Sequence, residues 1–446
     1  MSVLMRSVSG IRGIVGPDFN PALIAQYVNA FVQLTGARRV VIGRDTRPTG
    51  AMIESAVAAA CQASGAEAVM LGMASTPTVE MAVIDQKAGG GIIITASHNP
   101  VAWNALKFLT AEGIFLDQGQ VEKLFALVDG GHFQWKAWDG VAGVSQSASA
   151  DGAHIDAVLK LACIDEKLIR SRGFKVAYDA VNGAGSLIIP ALLARLGCEV
   201  HAIHVKPDGM FPHDPEPTPE NLAGLSAAVK ARACDVGFAT DPDADRCAMV
   251  DENGVAIGEE YTLAFATELI LSHTPGPVTL NLSTSRMCED IAAKYGVNCE
   301  RAKVGEINVT VRMKANGSVI GGEGNGGVIL PDLHYGRDGI LAVAMTLQLL
   351  AEKTAKVSEI VASIPSYHIE KRKHAASGAK LQAGREALKR RFSDATLDGS
   401  DGLRFSWPKA WVHVRPSNTE PIARIIAEAP TRPEAEKLCD AVAECL

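Results

Sequence analysis

Apolar and polar positions follow one pattern three times along the chain. Each occurrence reads as an apolar strand, a polar Gly/Ser/Asn turn, a helix of about three turns, a glycine and a second apolar strand. The three segments are Arg39–Gly72, Lys175–His204 and Pro277–Val304. Units of this length predict parallel sheets with right-handed crossovers. In such sheets, ligands bind at the loops that follow the carboxyl ends of the strands.

The pattern changes near residue 363. Two later apolar strands, Trp411–Val414 and Ile422–Ala427, flank a polar loop, and a helix at Pro433–Cys445 follows them. The sequence therefore predicts an α/β fold with three similar domains on mixed or parallel sheets and a smaller C-terminal α+β domain. The predicted domain limits are 1–150, 151–253, 254–364 and 365–446.

Composition narrows the class of protein. The chain has 446 residues, of which 47% are hydrophobic and 21% charged, as is typical of globular proteins. Its net charge of −7, without a dense cluster of Lys and Arg, argues against nucleic-acid and membrane partners. Nine scattered cysteines without a C-x-x-C pair indicate free thiols in a reducing compartment. Residues 1–13 lack a signal-peptide core and the apolar stretch 340–351 is too short to span a bilayer, so we expect a cytoplasmic protein.

The first loop with candidate chemistry, residues 95–100, directly follows the strand predicted at 91–94. It places Ser97 at the carboxyl edge of a sheet, where a nucleophile or a phosphate carrier is accessible. The loop is not a G-x-S-x-G elbow, because Thr95 and Asn99 stand at the glycine positions. The alternative interpretation is an ordinary Ser/Asn/Pro turn.

The second loop carries three alternate aspartates, Asp241, Asp243 and Asp245, after the strand predicted at 236–239. Alternate carboxylates in an extended loop project to one side and can bind one divalent cation. Without a cation they repel one another. An EF-hand is excluded because Arg246 replaces the required glycine and the flanking elements are strands. A solvated acidic turn is the alternative.

The third loop, Gly321–Gly327, contains a formal G-x-G-x-x-G pattern. The residues after it, Val328–Pro331, do not begin a helix, so the pattern does not indicate a dinucleotide site. A single carboxylate among glycines suits sugar hydroxyls, with Glu323 accepting hydrogen bonds and Asn325 donating them. The alternative is a flexible turn.

The fourth loop, residues 415–421, lies between the last two predicted strands. It offers an arginine, two hydroxyls, an amide and backbone N–H groups, which are the groups that hold a phosphate dianion. A polar hairpin loop is the alternative. Each predicted domain thus contributes one loop, and the set of phosphate carrier, metal site, sugar clamp and phosphate clamp predicts phosphoryl transfer on a sugar phosphate.

Two further segments, Ser9–Gly13 and Gly43–Arg47, precede the four loops along the chain. In these motifs the chain resembles the α-D-phosphohexomutase superfamily, and the resemblance covers nearly the whole sequence. It implies four domains around a central cleft, which agrees with the domains predicted above.

The resemblance also implies a role for each loop. Ser97 is implied to carry the phosphoryl group as a phosphoserine. Asp241, Asp243 and Asp245 are implied to bind Mg²⁺ together with a phosphate oxygen on Ser97, which makes Ser97 part of the metal site. Arg246 is implied to contact that phosphate. The implied substrate-binding residues are Glu323 and Asn325 in the sugar loop and Arg415, Ser417, Asn418 and Thr419 in the phosphate loop.

The implied reaction interconverts a hexose or hexosamine 1-phosphate and 6-phosphate through a 1,6-bisphosphate. We expect an isomerase with Mg²⁺ as cofactor, a hexose 1,6-bisphosphate as activator, a small sugar phosphate as substrate, and a monomeric or homodimeric chain. Phosphoglucosamine mutase activity is the leading expectation, and phosphomannomutase/phosphoglucomutase activity is the alternative. A Mg²⁺-dependent sugar-phosphate phosphatase is a further alternative, whereas a pure sensor needs neither Ser97 nor the three aspartates.

Four cations are expected to surround the two phosphates: Arg12, Lys107, Arg246 and Arg415. Lys107 and His98 are the candidates for proton transfer to and from the sugar hydroxyl. We expect neighbouring arginines to lower the pKa of Lys107 and thereby to favour its action as a base. For His98 the alternative is a turn residue that hydrogen-bonds local backbone groups.

Two departures from the superfamily pattern stand out. Many bacterial members carry Ser and His where this chain has Asn325 and Gly327. The missing imidazole affects which sugar the protein selects. We hypothesise that His334 or Arg337 compensates for it. The second departure, Ala105 in place of a usual glycine, is expected to have little effect.

Overall fold

The computed structural model describes residues 4–375, 378–416 and 422–446, without the side chains of 378 and 379. Four sheets follow one another along the described chain, and helices cover three of them in α/β arrangements. The fourth sheet, near the C terminus, is antiparallel throughout. The fold class predicted from the sequence is therefore confirmed.

The first domain is built on a seven-stranded mixed sheet. Its strands are β1 (Met5–Ser7), β2 (Gly10–Ile14), β3 (Arg39–Arg44), β4 (Glu67–Met73), β5 (Gly90–Ile94), β6 (Trp103–Thr110) and β7 (Val144–Gln146). Its helices are α1 (Pro21–Thr35), α2 (Gly50–Ala63), α3 (Thr76–Asp85) and α4 (Gln118–Gly130). The strand order is β1-β2-β6-β5-β3-β4-β7. Antiparallel pairing of β5 with β6 puts Lys107 opposite Ile93, beside the loop that holds Ser97.

The second domain has a four-stranded sheet. Its strands are β8 (Lys175–Asp179), β9 (Glu199–Ile203), β10 (Val236–Thr240) and β11 (Cys247–Val250). Its helices are α5 (Ala150–Leu159), α6 (Glu166–Arg172), α7 (Gly185–Arg195) and α8 (Ala223–Arg232), with a 3₁₀ turn at Pro219–Asn221. The strand order is β11-β10-β8-β9, and the antiparallel β10–β11 hairpin carries the three aspartates at its turn.

The third domain has a second four-stranded sheet. Its strands are β12 (Val278–Asn281), β13 (Cys299–Ala302), β14 (Ile320–Glu323) and β15 (Gly327–Ile329). Its helices are α9 (Glu260–His273), α10 (Met287–Lys294), α11 (Glu306–Asn316), α12 (Gly339–Lys353) and α13 (Val357–Ser363). The order is β13-β12-β14-β15, and the turn between antiparallel β14 and β15 is the glycine-rich loop.

The fourth domain has a five-stranded antiparallel sheet in the order β16-β20-β19-β18-β17. Its strands are β16 (His368–His374), β17 (Thr396–Asp398), β18 (Leu403–Trp407), β19 (Ala410–Pro416) and β20 (Ala423–Ala429). Its helices are α14 (Gly378–Arg391) and α15 (Arg432–Ala443). The loop from β19 to β20 includes residues 417–421, which lie outside the described residues.

The three repeated segments form the units β3-α2-β4, β8-α7-β9 and β12-α10-β13. In each unit the two strands pair in parallel, as the repeated pattern predicts. The polar loops that follow β5, β10 and β14 therefore lie where parallel sheets present their ligand sites.

Helix α12 joins the second and third domains. Thirteen of its fifteen residues are buried, and its apolar side chains share one core with α6, α7 and α9. The apolar stretch at 340–351 is therefore an interior helix. Within the described ranges, no helix is long and apolar enough to cross a membrane. Because one core serves both domains, the metal loop and the sugar loop are held in a fixed relation to each other.

Candidate active site

Ser97 lies in a tight turn directly after β5. Its backbone has a φ of 48°, a left-handed conformation that is uncommon for a residue with a side chain. Its N–H donates to Thr95 Oγ1 at 2.9 Å, and its carbonyl accepts from Arg47 Nη2 at 2.6 Å. Only 5% of the residue is exposed. The turn therefore holds the Ser97 hydroxyl in one defined position.

Arg47 holds this turn in place through hydrogen bonds of its guanidinium group. Its Nε donates to Asp45 Oδ2 at 3.0 Å, and neither side chain is exposed to solvent. Asp45 also accepts a hydrogen bond from Thr95 Oγ1 at 2.7 Å. The Arg47 guanidinium donates to the backbone carbonyls of Ser97, Asn99, Pro100 and Trp103. No role for Arg47 was predicted from the sequence, although Asp45 and Arg47, two charged residues just after the apolar strand β3, indicated one.

The turn between β10 and β11 gathers Asp241, Asp243 and Asp245. All three are fully buried, and a carboxylate oxygen from each lies within 4.8 Å of the others. The turn depends on Ala244, whose φ is 54°. Burial, and then the charges of Asp245 and Asp243, raise the pKa of Asp241 well above its ordinary value. The charge on Asp241 is therefore costly beside the other two carboxylates, which favours a bound cation next to it.

Two carboxylate oxygens of this cluster are available to bind a metal ion. Asp243 Oδ1 and Asp245 Oδ1 are buried and have no hydrogen-bond partner in the described part of the chain. An orphaned buried carboxylate oxygen is unfavourable in a folded protein unless a ligand satisfies it. Oxygen ligands of this kind are those that Mg²⁺ prefers. The residues present therefore fit a bound divalent cation.

Ser97 and the aspartate cluster come from different domains and meet here. Ser97 Oγ donates a hydrogen bond to Asp241 Oδ2 at 2.9 Å, although the two residues are 144 positions apart. The structure thus places the predicted phosphate carrier beside the predicted metal ligands. A phosphoryl group on Ser97 would carry its oxygens to the edge of the three carboxylates.

The pKa of Lys107 is shifted in the direction opposite to the one predicted from the sequence. Its Nζ donates to Asp243 Oδ2 at 2.8 Å in a buried ion pair. Burial by itself lowers the pKa of Lys107, but the charges of Asp243 and Asp245 outweigh it and raise the pKa. The expected lowering by neighbouring arginines is therefore wrong, because aspartates are the nearer charges. Thr76, for which the sequence predicted no role, also donates to Asp243 Oδ2, at 2.8 Å.

His98, Arg12 and Arg246 lie around the Ser97 turn. His98 Nδ1 is 3.4 Å from Ser97 Oγ. Burial, followed by the charges of Arg246 and Arg12, lowers the pKa of His98 well below its ordinary value. Arg12 Nη1 donates to Asn99 Oδ1 at 2.6 Å, and Arg246 Nε lies 3.9 Å from Asp241 Oδ2. The predicted cations therefore border the serine and the aspartates.

Glu323 occupies the sugar loop at the end of β14. Its Oε1 accepts hydrogen bonds from Asn281 Nδ2 at 2.7 Å and from the Gly305 N–H at 2.8 Å. Its Oε2 accepts from Arg337 Nη1 at 2.8 Å. Burial opposes ionisation, but Arg337 and these hydrogen bonds lower the pKa of Glu323. Glu323 is therefore a charged acceptor whose position is fixed by three neighbours.

Arg337 connects the sugar loop to the aspartates. It donates to Glu323, to Glu306 Oε2 at 3.0 Å and to Asp245 Oδ2. Its Nη1 also lies 3.4 Å from Asn325 Oδ1. Of the two residues hypothesised to compensate for Gly327, Arg337 is the one that reaches the sugar loop.

His334 lies between two other carboxylates, those of Asp338 and Glu80. Its Nε2 is 3.1 Å from Asp338 Oδ2, and its Nδ1 is 3.4 Å from Glu80 Oε2. Burial lowers the pKa of His334, but Asp338 and Glu80 together raise it to about 10. His334 Nδ1 also accepts the Gly336 N–H at 3.1 Å, and these groups rather than Glu323 are the partners of His334 among the described residues.

The fourth domain brings Arg415 toward the sugar loop. Arg415 is partly buried at the end of β19, and its Nε has no hydrogen-bond partner among the described residues. Nearby, Asp401 Oδ2 accepts from the Val304 N–H at 3.1 Å, one residue before Gly305. The phosphate-loop residues Ser417, Asn418 and Thr419 lie outside the described residues.

Comparison with known protein families gives four matches in succession. Residues 5–135, 152–254 and 258–367 match the phosphoglucomutase/phosphomannomutase alpha/beta/alpha domains I, II and III. Residues 369–445 match the phosphoglucomutase/phosphomannomutase C-terminal domain. The matches cover most of the chain and occur in the order that the four sheets follow.

Individual relatives and a solved structure also match this chain over nearly its whole length. A probable phosphoglucosamine mutase of Methanopyrus kandleri is 34% identical over 97% of this chain and 95% of its own length. A phosphoglucomutase/phosphomannomutase of Thermococcus kodakarensis is 35% identical over 96% and 95%. A solved structure of a phosphoglucomutase/phosphomannomutase family protein from Burkholderia thailandensis superposes with a TM-score of 0.86 at 26% identity, and covers 99% of this chain and 98% of its own.

Proposed function

The chain belongs to the phosphoglucomutase/phosphomannomutase family of isomerases, and we propose that it is a Mg²⁺-dependent phosphohexomutase. The proposed reaction interconverts a hexosamine 1-phosphate and its 6-phosphate, with glucosamine phosphate as the preferred substrate. The observation that carries the proposal is the 2.9 Å hydrogen bond from Ser97 Oγ to Asp241 Oδ2, which joins a nucleophile to a site for a divalent cation.

The metal site is proposed at the three aspartates. Asp241, Asp243 and Asp245 would hold Mg²⁺ together with a phosphate oxygen on Ser97, because one carboxylate oxygen of each lies within 4.8 Å of the others and Asp243 Oδ1 and Asp245 Oδ1 have no hydrogen-bond partner among the described residues. When bound, Mg²⁺ offsets negative charge on the transferring phosphoryl group. Arg246, beside Asp241 and Asp245, is proposed to contact the same phosphate.

Ser97 is the proposed carrier of the phosphoryl group. The bond from Ser97 Oγ to phosphorus breaks as a bond forms between phosphorus and a sugar hydroxyl oxygen, and the product is a sugar 1,6-bisphosphate. The bisphosphate then returns its other phosphoryl group to Ser97. A hexose 1,6-bisphosphate is the proposed activator, because it phosphorylates a Ser97 that has lost its phosphoryl group.

The sugar hydroxyl must lose a proton as it attacks. We propose that His98 passes that proton to Ser97 Oγ, which lies 3.4 Å from its Nδ1, so that the oxygen released from phosphorus ends as a hydroxyl. Lys107 already donates to Asp243 and is proposed to donate a further hydrogen bond to the transferring phosphoryl group. Arg12 is held near this position by Asn99 and completes the positive surface.

The other end of the substrate is proposed to contact the third and fourth domains. Glu323 would accept hydrogen bonds from sugar hydroxyls or an amino group, and Asn325 would donate to them. Arg415 would pair with the distal phosphate, which its unpaired Nε within the described chain supports. Ser417, Asn418 and Thr419 stay predictions for that phosphate.

A second candidate activity is phosphomannomutase/phosphoglucomutase. It is favoured by Gly327, which leaves the sugar loop without an imidazole, and by the similarity to the relative of that name from Thermococcus kodakarensis. Discrimination between a 2-amino and a 2-hydroxyl group depends on one or two hydrogen bonds, worth about 1–3 kcal/mol when buried.

Phosphorus NMR tests the proposal directly. The purified chain receives Mg²⁺, a trace of hexose 1,6-bisphosphate, and in separate samples glucosamine, mannose or glucose 1-phosphate. We expect a 6-phosphate signal that grows fastest from glucosamine 1-phosphate. Faster conversion of mannose or glucose 1-phosphate would assign the second activity. Inorganic phosphate as the sole product would contradict both and support a phosphatase.

A further inference from the structure

A second cluster of metal-ligating side chains lies in the second domain, outside the proposed catalytic site. Asp179 ends β8, and His204 and His213 flank the loop that follows β9. Asp179 Oδ2 lies 2.9 Å from His204 Nδ1 and 3.2 Å from His213 Nε2. The three ligand atoms are all within 4.8 Å of one another. The cluster consists of one carboxylate and two imidazoles that converge on one point.

The hydrogen bonds around the cluster determine which atoms face inward. His213 Nδ1 lies 2.8 Å from the Asp214 carbonyl oxygen, which can only accept, so Nδ1 carries a hydrogen. Asp179 Oδ1 accepts the Val181 N–H at 2.8 Å, which leaves Oδ2 for the cluster. A neutral His213 therefore directs its Nε2 lone pair at a carboxylate oxygen. That contact is repulsive unless a proton or a metal ion lies between the two atoms.

We propose that Asp179, His204 and His213 bind a divalent transition-metal ion of the zinc class, separate from the Mg²⁺ site. Imidazole nitrogen with carboxylate oxygen is a ligand set that selects Zn²⁺ or Co²⁺ over Mg²⁺. Bond lengths of about 2.0–2.1 Å in a tetrahedral site separate neighbouring ligand atoms by about 3.4 Å. The observed 2.9 and 3.2 Å need only a small expansion. The His213 bond to a carbonyl is the outer hydrogen bond that ligating histidines usually make.

Solvent reaches this position. The side chains of His204 and His213 are 33% and 23% exposed, whereas Asp179 is buried at the base. An ion can therefore enter from solvent, and water can complete its coordination.

The two histidines close the loop between them onto the first domain. In that loop, Gly209 has a φ of 67°, and a Cβ there would lie 2.4 Å from the Thr46 carbonyl oxygen. The Phe211 ring centroid lies 5.0 Å from Arg47 Cζ. Arg47 is the residue that holds the Ser97 turn. The bound metal is therefore structural, since it fixes a loop that packs against the support of the Ser97 turn.

Cobalt titration of the full-length chain tests the site. After treatment with a chelator and dialysis, the protein is titrated with Co²⁺ in excess Mg²⁺, which occupies the oxygen-only aspartates. We expect one Co²⁺ per chain with the intense visible bands of a tetrahedral nitrogen-containing site. His204→Gln and His213→Gln should lose these bands. His201→Gln is the matched control, because His201 lies on β9 and contacts the single carboxylate of Glu199.

Several results would overturn the proposal. Wild-type protein without the visible bands, or unchanged bands in both variants, would leave the cluster as hydrogen bonds to a protonated histidine. Circular dichroism checks that each variant folds. If either does not, proton NMR of Co²⁺-loaded wild-type protein takes the place of the variant titration. Shifted N–H signals from two imidazoles would support the site, and their absence would contradict it. These readouts do not depend on mutase activity, so the proposal stands or falls separately from the proposed function.

Discussion

Arg337 Nη2 donates a hydrogen bond to Asp245 Oδ2 across the boundary between the third and second domains. The same guanidinium donates through Nη1 to Glu323 in the sugar loop. One side chain therefore connects the proposed metal ligand with the proposed sugar acceptor. A shift of Glu323 on substrate binding would therefore act on Asp245 through Arg337.

Substitution of Arg337 tests that connection. Arg337→Met leaves Asp245, Glu306 and Glu323 buried without their shared cation, and each lost charged hydrogen bond is worth about 1.5–3 kcal/mol. We expect kcat/KM to fall by at least about a hundredfold, with an increase in the Mg²⁺ concentration needed for half-maximal rate. Steady-state kinetics at varied sugar phosphate and Mg²⁺ measure both. Arg312→Met is the control, since Arg312 pairs with Glu300 on the surface; equal kinetics for both variants would contradict the role of Arg337.

Ser97→Ala should abolish phosphoryl transfer. The substitution removes the protein atom proposed to carry the phosphoryl group, so we expect turnover to fall by more than about 10³-fold. Incubation with labelled hexose 1,6-bisphosphate should label wild-type protein and not the variant. Ser55→Ala, at an exposed position on α2, should behave as wild type. Label that remains on Ser97→Ala would show that another residue is the carrier.

The buried pair of Lys107 and Asp243 should show coupling in a double-mutant cycle. Asp243→Asn leaves a buried cation without its partner, which costs about 3–5 kcal/mol of the free energy of unfolding. Adding Lys107→Met should recover part of that loss without restoring activity, because the metal ligand stays absent. Thermal unfolding and Mg²⁺ titration of the two single variants and the double variant measure this. Strict additivity of the two losses would argue that the residues do not interact.

Arg47 should be important for the stability of the first domain. Arg47→Met leaves the buried Asp45 without its ion-pair partner, and we expect a loss of about 3–5 kcal/mol in the free energy of unfolding. The Ser97 turn also loses four carbonyl contacts, so activity should fall as well. Hydrogen exchange of β5 and urea unfolding measure stability. Arg39→Met is the control, because Arg39 pairs with Glu67 at the surface and should cost less than about 1 kcal/mol.

His334 should make stability depend on pH. It faces Asp338 and Glu80, and the His154 ring lies beyond Asp338. Burial lowers its pKa, but the two carboxylates raise the pKa from 6.5 to about 10. Because the folded value is the higher one, the stabilisation is complete below pH 6.5 and is lost as pH rises toward about 10.

The measurement compares His334→Gln with wild type across that interval. We expect a large difference in urea midpoint near pH 6.5 and a small one near pH 10. The matched control is His273→Gln, a half-exposed histidine that pairs with Glu352. A difference between His334→Gln and wild type that is constant with pH would contradict the raised pKa of His334.

Local patterning along the chain was sufficient for much of the architecture. The three repeated strand–helix–strand segments are parallel units in the structure, because side-chain period and helix-ending glycines are properties of neighbouring residues. The same reasoning placed Ser97 and the aspartates after strands, and hence at the carboxyl edges of their sheets.

The electrostatic environment of those residues could not be predicted in this way. Ser97 and Asp241 are 144 positions apart, and their contact depends on how two domains pack. The pKa of Lys107 is raised rather than lowered, because packing puts Asp243 closer to its ammonium group than any arginine. Arg47 and Arg337 gain their roles from partners on other loops. Burial and nearby charge set the chemistry of a site, and both are decided by residues that are distant in sequence.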